Sequence, residues 1–226
     1  LHAILVNHLG RRSVLGEMPE GTTLVPDQLC NDFGVSRSVV REVFRALEVR
    51  GLVAARPKIG TKVTPFSQWN FLDPDVIVWR LAGPDRRSQL QDLHELRLAV
   101  EPIAAKLVST QDAPSCLDDL REAIKEMSDA MSAQDVRKFT AADIKFHSIL
   151  LASSWNRMFD RLSSVIATAL RAREAFSTPF LELSKHGLEL HETLVDKLAA
   201  GDPTATETMV ELLAESVREV EAALEA

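Results

Sequence analysis

The stretch from Gly34 to Glu48 constrains this chain most. Val40, Val43, Phe44 and Leu47 recur at three- and four-residue spacing, which makes one apolar helical face. Arg37, Arg41 and Arg45 fall every fourth residue and make a second face, cationic and exposed. Ser36 suits an N-cap, and Gly34 can take the positive φ of a tight turn. Upstream, residues 27–33 read as a short helix with Leu29 and Phe33 turned inward. The two helices together read as a helix-turn-helix whose second helix enters a DNA major groove. An arginine fork can hold a phosphate or the O6/N7 edge of guanine. Most charged helix faces are only solvated, so the flanking segments have to decide.

They favour DNA. Gly51 suits a helix C-cap, and residues 51–56 lead from it into a strand. Residues 57–60 make a turn and 61–64 a return strand, which is a β-hairpin with Lys58 and Lys62 at or near its tip. A helix over about residues 3–9 would complete a small core. Helix-turn-helix plus basic hairpin is a winged helix. The chain is acidic, with a net charge of −7 over 226 residues, but the charge is unevenly placed. Residues 1–66 carry a balance of +3 and the remainder −10. A basic module on an acidic body is expected when one domain meets phosphates and the other does not.

The run Val35-Ser36-Arg37 through Val40-Arg41-Glu42, then Leu47, Gly51-Leu52-Val53 and Gly60-Thr61-Lys62-Val63, resembles the winged-helix domain of the GntR family of bacterial transcription regulators. The resemblance implies that Arg37 and Arg41 are the main DNA contacts. Ser36, Ser38, Arg45 and Lys58 join them, and Gly60 lets the wing approach the minor groove. Many members carry a Leu-Pro-Ser-Glu-Arg segment whose arginine also touches DNA. Here the corresponding run, Thr23-Leu24-Val25-Pro26-Asp27-Gln28, holds no arginine, so operator preference should differ.

The length allows two domains. The organisation expected is a winged-helix domain at 1–66, an aromatic linker with a short helix at 67–85, and a helical effector and dimerisation domain at 86–226. No apolar run approaches the roughly 20 residues of a membrane span, and no signal peptide is visible, so a cytoplasmic protein is expected. Cys30 and Cys116 share no metal-like spacing and read as reduced thiols. In the linker, Asp73 and Pro74 look like the N-cap and first position of a short helix. Trp69 and Trp79 are expected to pack between domains. The linker also resembles that of sugar-acid-responsive members of the family.

From Arg86 onward the pattern is helical, with helices near 86–109, 115–131, 136–152, 157–176, 181–199 and 203–225. Short connections make neighbours antiparallel. The fold class is therefore mainly α: a winged helix-turn-helix followed by an all-α bundle of six main helices. Asp143 and His147 lie one turn apart on one helical face, and His191 follows two helices later. A carboxylate with two imidazoles suits Zn, Ni or Mn. An Asp and a His at this spacing are more often a simple hydrogen bond, so the residues alone leave both readings open.

This half is similar to the FCD ligand-binding domain of the FadR branch of GntR regulators. That resemblance implies a divalent metal held by Asp143, His147 and His191. The family's fourth ligand, a histidine three residues after a Met, is replaced: Met209 is followed by Leu212. Arg97 and Glu101 match the Arg-x-x-x-Glu of the first bundle helix. Arg97 is then the anchor for a small organic acid, such as a sugar acid, with Asn156 and Arg171 near the pocket. The ordinary alternative for Arg97 and Glu101 is a surface ion pair.

The expected protein is a homodimeric regulator, a repressor of a catabolic operon, released from its double-stranded DNA operator by the acid. Two alternatives stand beside it. One is a regulator answering to an acyl thioester, whose site would lack the metal residues. The other is a metal-dependent enzyme using Asp143, His147 and His191. Against the enzyme, the chain has no HExxH helix and no nucleophile paired with a base.

Overall fold

The structure, a computed structural model, describes residues 1–56, 60–111, 115–172 and 179–225, without the side chains of 179–184 and 219–225. The chain divides into two compact units, Leu1–Gln89 and Leu90–Ala226. Among the described residues no helix is long and apolar enough to cross a membrane.

The first unit holds helices α1 (His2–Val14), α2 (Pro26–Phe33), α3 (Arg37–Val49) and α4 (Pro74–Leu81). Its small antiparallel sheet consists of β1 (Thr23–Leu24), β2 (Val53–Arg56) and β3 (Gly60–Val63) in the order β1-β3-β2. Val53 pairs with Val63 and Arg56 with Gly60, while Thr23 pairs with Lys62. The hairpin is the expected wing. The third strand, β1, was not anticipated, because two residues are too few to show a period. Residues 57–59, and with them Lys58, lie outside the described residues.

The apolar stripe of α3 does what its spacing requires. Val40, Val43, Phe44 and Leu47 are all buried, against Leu5 and Leu9 of α1 and against Leu52, Val53 and Val63. Burying each large aliphatic side chain contributes about 1.5–3 kcal/mol. Gly34 ends α2 at φ 61°, and Ser36 caps α3 by accepting from Val39 N. Gly51 takes φ 72°, and a Cβ there would fall 2.0 Å from the Gln68 carbonyl oxygen.

Helix α1 extends past the expected end at Leu9 to Val14. Gly10 is not a stop but a notch: a Cβ on it would lie 2.2 Å from the Trp79 ring of α4. A glycine inside a helix costs about 1 kcal/mol, and a buried tryptophan offsets it. Trp79 Nε1 also donates to Asn7 Oδ1 at 2.7 Å. Asp73 caps α4 through Asp75 N and Val76 N, with Pro74 in the first turn, as expected. Trp69 clusters with Phe66 and Phe71. Both tryptophans thus have these partners within the first unit.

The second unit is helical throughout its described residues. It comprises α5 (Arg86–Ser109, whose first turn belongs to the first unit), α6 (Leu117–Ser132), α7 (Val136–Ser153), α8 (Arg157–Arg161), α9 (Ser163–Arg171), α10 (Pro179–Ala200) and α11 (Ala205–Glu225). The expected fourth bundle helix is divided at Leu162, whose φ and ψ of −81° and −8° loosen the ladder. Residues 173–176 of that expected helix lie outside the described residues. Helix α6 packs on α7 and α10, and α10 on α11. Val108, Leu120, Met127, Phe146, Leu150, Leu194, Leu198 and Leu213 fill one core. Five ionisable side chains are buried in the same unit: Arg97, Glu101, Asp143, His147 and His191.

Candidate nucleic-acid interface and buried histidine cluster

The outward face of α3 carries Arg37, Ser38, Arg41 and Arg45, all exposed, with Ser36 at its N-cap. The same helix therefore anchors itself on one side and offers guanidinium groups on the other. Ser36 Oγ and Ser38 Oγ lie 2.8 Å apart. The arginines are not equivalent. Arg37 Nη2 stands 2.8 Å from Asp27 Oδ1 of α2, and Arg45 Nη1 stands 2.9 Å from Glu42 Oε1. Among the described residues Arg41 has no ion pair. Gly60 opens β3 at φ 96°, beside the undescribed wing tip. Glu48 Oε1 accepts from Ala55 N at 2.9 Å and ties α3 to the wing.

The second site is built by three helices. Helix α5 supplies Arg97 and Glu101, α7 supplies Asp143 and His147, and α10 supplies His191. Arg97 and Glu101 are not a surface pair: their side chains are 7% and 0% exposed. Arg97 Nε donates to Glu101 Oε1 at 2.6 Å. Glu101 Oε2 faces His147 Nδ1 at 2.5 Å. Burial alone would push the Glu101 carboxyl up. The charges of Arg97 and His147 outweigh it and hold the pKa at about 2, so the group is ionised. The same facing charge lifts the His147 pKa above its ordinary value against burial and the repulsion of Arg97.

Asp143 Oδ1 is the meeting point. It lies 3.3 Å from His147 Nε2 and 3.2 Å from His191 Nε2. His191 Nδ1 is 2.7 Å from the Gly187 carbonyl, the contact that directs its proton there and leaves Nε2 as the lone-pair nitrogen. His191 Nε2 is buried and has no hydrogen-bond partner. Phe146 packs edge-on against both imidazoles and holds their planes.

This donor set fits a divalent metal. Ligand atoms of Asp143, His147 and His191 all lie within 4.8 Å of one another. Donors bound at about 2.1 Å to one tetrahedral ion stand roughly 3.4 Å apart, close to the separations seen. Each histidine also has an acceptor behind its Nδ1, the outer contact that metal-ligating imidazoles need. Two features oppose tight binding. Leu212 is buried on α11 and offers no fourth donor. Arg97 Nη2 stands 3.2 Å from His147 Nε2, on the nitrogen a metal would use.

The structure thus brings together Arg97, Glu101, Asp143, His147 and His191. Asn156 is half-buried and Arg171 exposed, and their described contacts are with other residues. Asn156 caps α8 through Met158 N and lines an open cavity of about 420 Å³ with Ala152, Trp155, Arg157 and Asp160. Arg171 is exposed at the end of α9. Sequence reasoning missed the Gly187 carbonyl, the Asp27–Arg37 pair, and the part Glu101 plays behind His147. A carbonyl leaves no trace in residue type, and the other two contacts cross between helices.

A winged helix-turn-helix followed by a helical domain with a buried polar cluster is the build of a bacterial transcription regulator. Two family descriptions match: "Bacterial regulatory proteins, gntR family" over residues 5–63 and "FCD domain" over residues 92–216. The chain belongs to the GntR family of bacterial regulators, with an FCD domain as its second half, and is a DNA-binding regulator and not an enzyme. It is 31% identical to the galactonate operon transcriptional repressor of Escherichia coli, covering 95% of this chain and 94% of that one. It is 21% identical to the gluconate operon transcriptional repressor of Bacillus licheniformis, covering 73% and 63%. A solved structure of a GntR protein from Streptococcus agalactiae superimposes with a TM-score of 0.54 at 25% identity, covering 96% of this chain and 99% of that one.

Proposed function

We propose that this regulator represses a catabolic operon for a sugar acid and leaves its operator when that acid binds the buried cluster. The observation that carries the reading is the convergence of Arg97, Glu101, Asp143, His147 and His191 inside the helical unit. Five ionisable side chains are costly to bury unless they serve each other or a ligand. Here two imidazole nitrogens, His147 Nδ1 and His191 Nε2, face a carboxylate oxygen without a hydrogen bond to it. The names of the two repressors it resembles add the substrate class, galactonate and gluconate being aldonic acids.

The residues divide the work. Arg97 binds the acid's carboxylate through its fork, turning from His147 Nε2 to do so. Glu101 keeps that guanidinium and the His147 ring in place. Asp143, His147 and His191 would hold Zn, Ni or Mn, and the metal when bound supplies a Lewis-acid centre for the carboxylate and a neighbouring hydroxyl. With Leu212 in the fourth position, the missing donor has to come from water or from the acid itself. On the other unit, Arg37, Arg41 and Arg45 with Ser36, Ser38, Gly60 and Lys58 make the operator contacts. A homodimer presents two such faces to a pseudo-palindromic site, where half-site spacing is geometrically fixed. The acid releases DNA by favouring a dimer whose two faces no longer match that spacing.

The test is a thermal-shift series of the full chain with galactonate, gluconate, simple dicarboxylates and an acyl thioester, before and after chelation, beside operator release by the same compounds. An aldonic acid that both stabilises the protein and releases DNA supports the reading. Stabilisation by the thioester alone would overturn the substrate class. Loss of the acid's effect after chelation, restored by Zn, Ni or Mn, assigns the metal.

A further inference from the structure

Asp27 is an acidic side chain on a face meant for phosphates. It sits in the first turn of α2, beside Pro26, and its carboxylate reaches across to Arg37 at the first position of α3. The two oppositely charged groups lie 2.8 Å apart and remain 63% and 79% exposed. Both are mounted on rigid helices joined by the short turn at Gly34, so their juxtaposition is set by the fold. An exposed pair of this kind contributes little to stability. Its consequence must therefore be sought in what the exposed guanidinium does next.

In a helix-turn-helix the N-terminal end of the second helix meets base edges, while the first helix crosses the phosphate backbone. A carboxylate at the start of α2 repels that backbone. It also cancels, at a distance, the charge that Arg37 would otherwise offer to any phosphate. Arg37 Nη2 is engaged by Asp27, while the side chain remains exposed, so the other guanidinium nitrogens stay available to a base edge. A guanidinium steadied by a carboxylate is suited to the fixed, planar geometry of guanine O6 and N7. Arg41, four residues on, has no such partner among the described residues and keeps its full attraction for phosphate.

We propose that Asp27 is a specificity-determining residue: it sets Arg37 to read a base pair and withholds it from indiscriminate phosphate binding, leaving that task to Arg41. The inference rests on the reading of α3 as the DNA-contacting helix.

The experiment uses the full chain, wild type and the variants Asp27→Asn, Arg37→Ala and Arg41→Ala. Each is first used to select duplexes from a randomised library. Each is then titrated with the wild-type-selected duplex and with a random 40-base-pair duplex (~40, long enough for two half-sites one turn apart) at several salt concentrations. Asp27→Asn is expected to bind random duplex about tenfold more tightly, with a salt slope steeper by about one unit. Its preference for the selected duplex should fall by about tenfold or more, concentrated at one base pair of each half-site. Arg37→Ala should lose the preference at that same base pair while changing random-duplex binding less than about threefold. Arg41→Ala should weaken both duplexes alike, because phosphate contacts carry no sequence information.

If Asp27→Asn tightens both duplexes equally, the carboxylate acts only through long-range charge and the proposal is overturned. It is also overturned if Asp27→Asn changes neither. If instead Arg37→Ala and Arg41→Ala both leave binding unaltered, the helix is not the DNA-contacting element. That result fails the underlying reading and is distinct from a failure of the role given to Asp27.

Discussion

Arg41 and Arg97 are the same residue put to opposite uses. Arg41 stands in water on the outer face of α3, with no ion pair among the described residues. Arg97 is buried, bonded to Glu101 and facing His147. The first costs the fold nothing and is available to a polyanion. The second is integral to a charged network that has to remain satisfied whether or not a ligand is present. A site for a large, externally supplied charge can be assembled from exposed side chains on one helix. The buried cluster, proposed here to take a small acid, is instead drawn from three helices and supported by outer contacts.

That contrast can be broken by substitution. Arg97→Ala removes the guanidinium bonded to the buried Glu101 carboxylate and should destabilise the second unit by about 3–5 kcal/mol, read from chemical denaturation. A loss under about 1 kcal/mol would mean that water reaches Glu101 and the site is not enclosed. Arg41→Ala should do the reverse. It should weaken operator binding by roughly 1–3 kcal/mol while leaving the unfolding midpoint within about 0.5 kcal/mol of wild type. Equal effects on stability and DNA binding would erase the distinction between the two arginines.

Leu212→His sharpens the same contrast within the second unit. It should cost about 1–2 kcal/mol without metal, for a buried polar group lacking a partner. It should also raise affinity for added Zn by at least about tenfold, the lower end of what one ligand-shell group contributes, measured by calorimetry after chelation. Unchanged affinity would show that the last helix does not face the Asp143, His147 and His191 set. The smallest effect belongs to the DNA face: Ser36→Ala should lower stability by about 1 kcal/mol through loss of the α3 cap. No change in the denaturation midpoint would show that the 3.4 Å contact to Val39 N carries no energy.

How far each region was legible in the sequence follows from how its residues are spaced. The DNA face is written along one helix, so Val40, Val43, Phe44 and Leu47 declare the buried side and Arg37, Arg41 and Arg45 the opposite one. Asp143 and His147 were visible for the same reason, being one turn apart on α7. Placing His191 and Arg97 beside them needed the family pattern, since no local period links α5, α7 and α10. The burial of the Arg97–Glu101 pair was hidden altogether: four-residue spacing is identical for a surface pair and a core pair. The extension of α1 past Leu9 has no local signal, because Gly10 favours the helix only through the Trp79 ring, far along the chain, that occupies the place of its Cβ. The break at Leu162 has no composition signal, neither Gly nor Pro standing there. The strand β1 is recognised only by its pairing with β3.

The most direct test of the account is the thermal unfolding of wild type and His147→Ala with saturating galactonate or gluconate, each metal-loaded and chelated. The acid is expected to raise wild-type stability by a few kcal/mol, as a ligand well above its dissociation constant does. His147→Ala should show no such rise while still binding operator in the acid's absence. Stabilisation of His147→Ala equal to that of wild type would contradict it and place acid recognition outside the buried cluster.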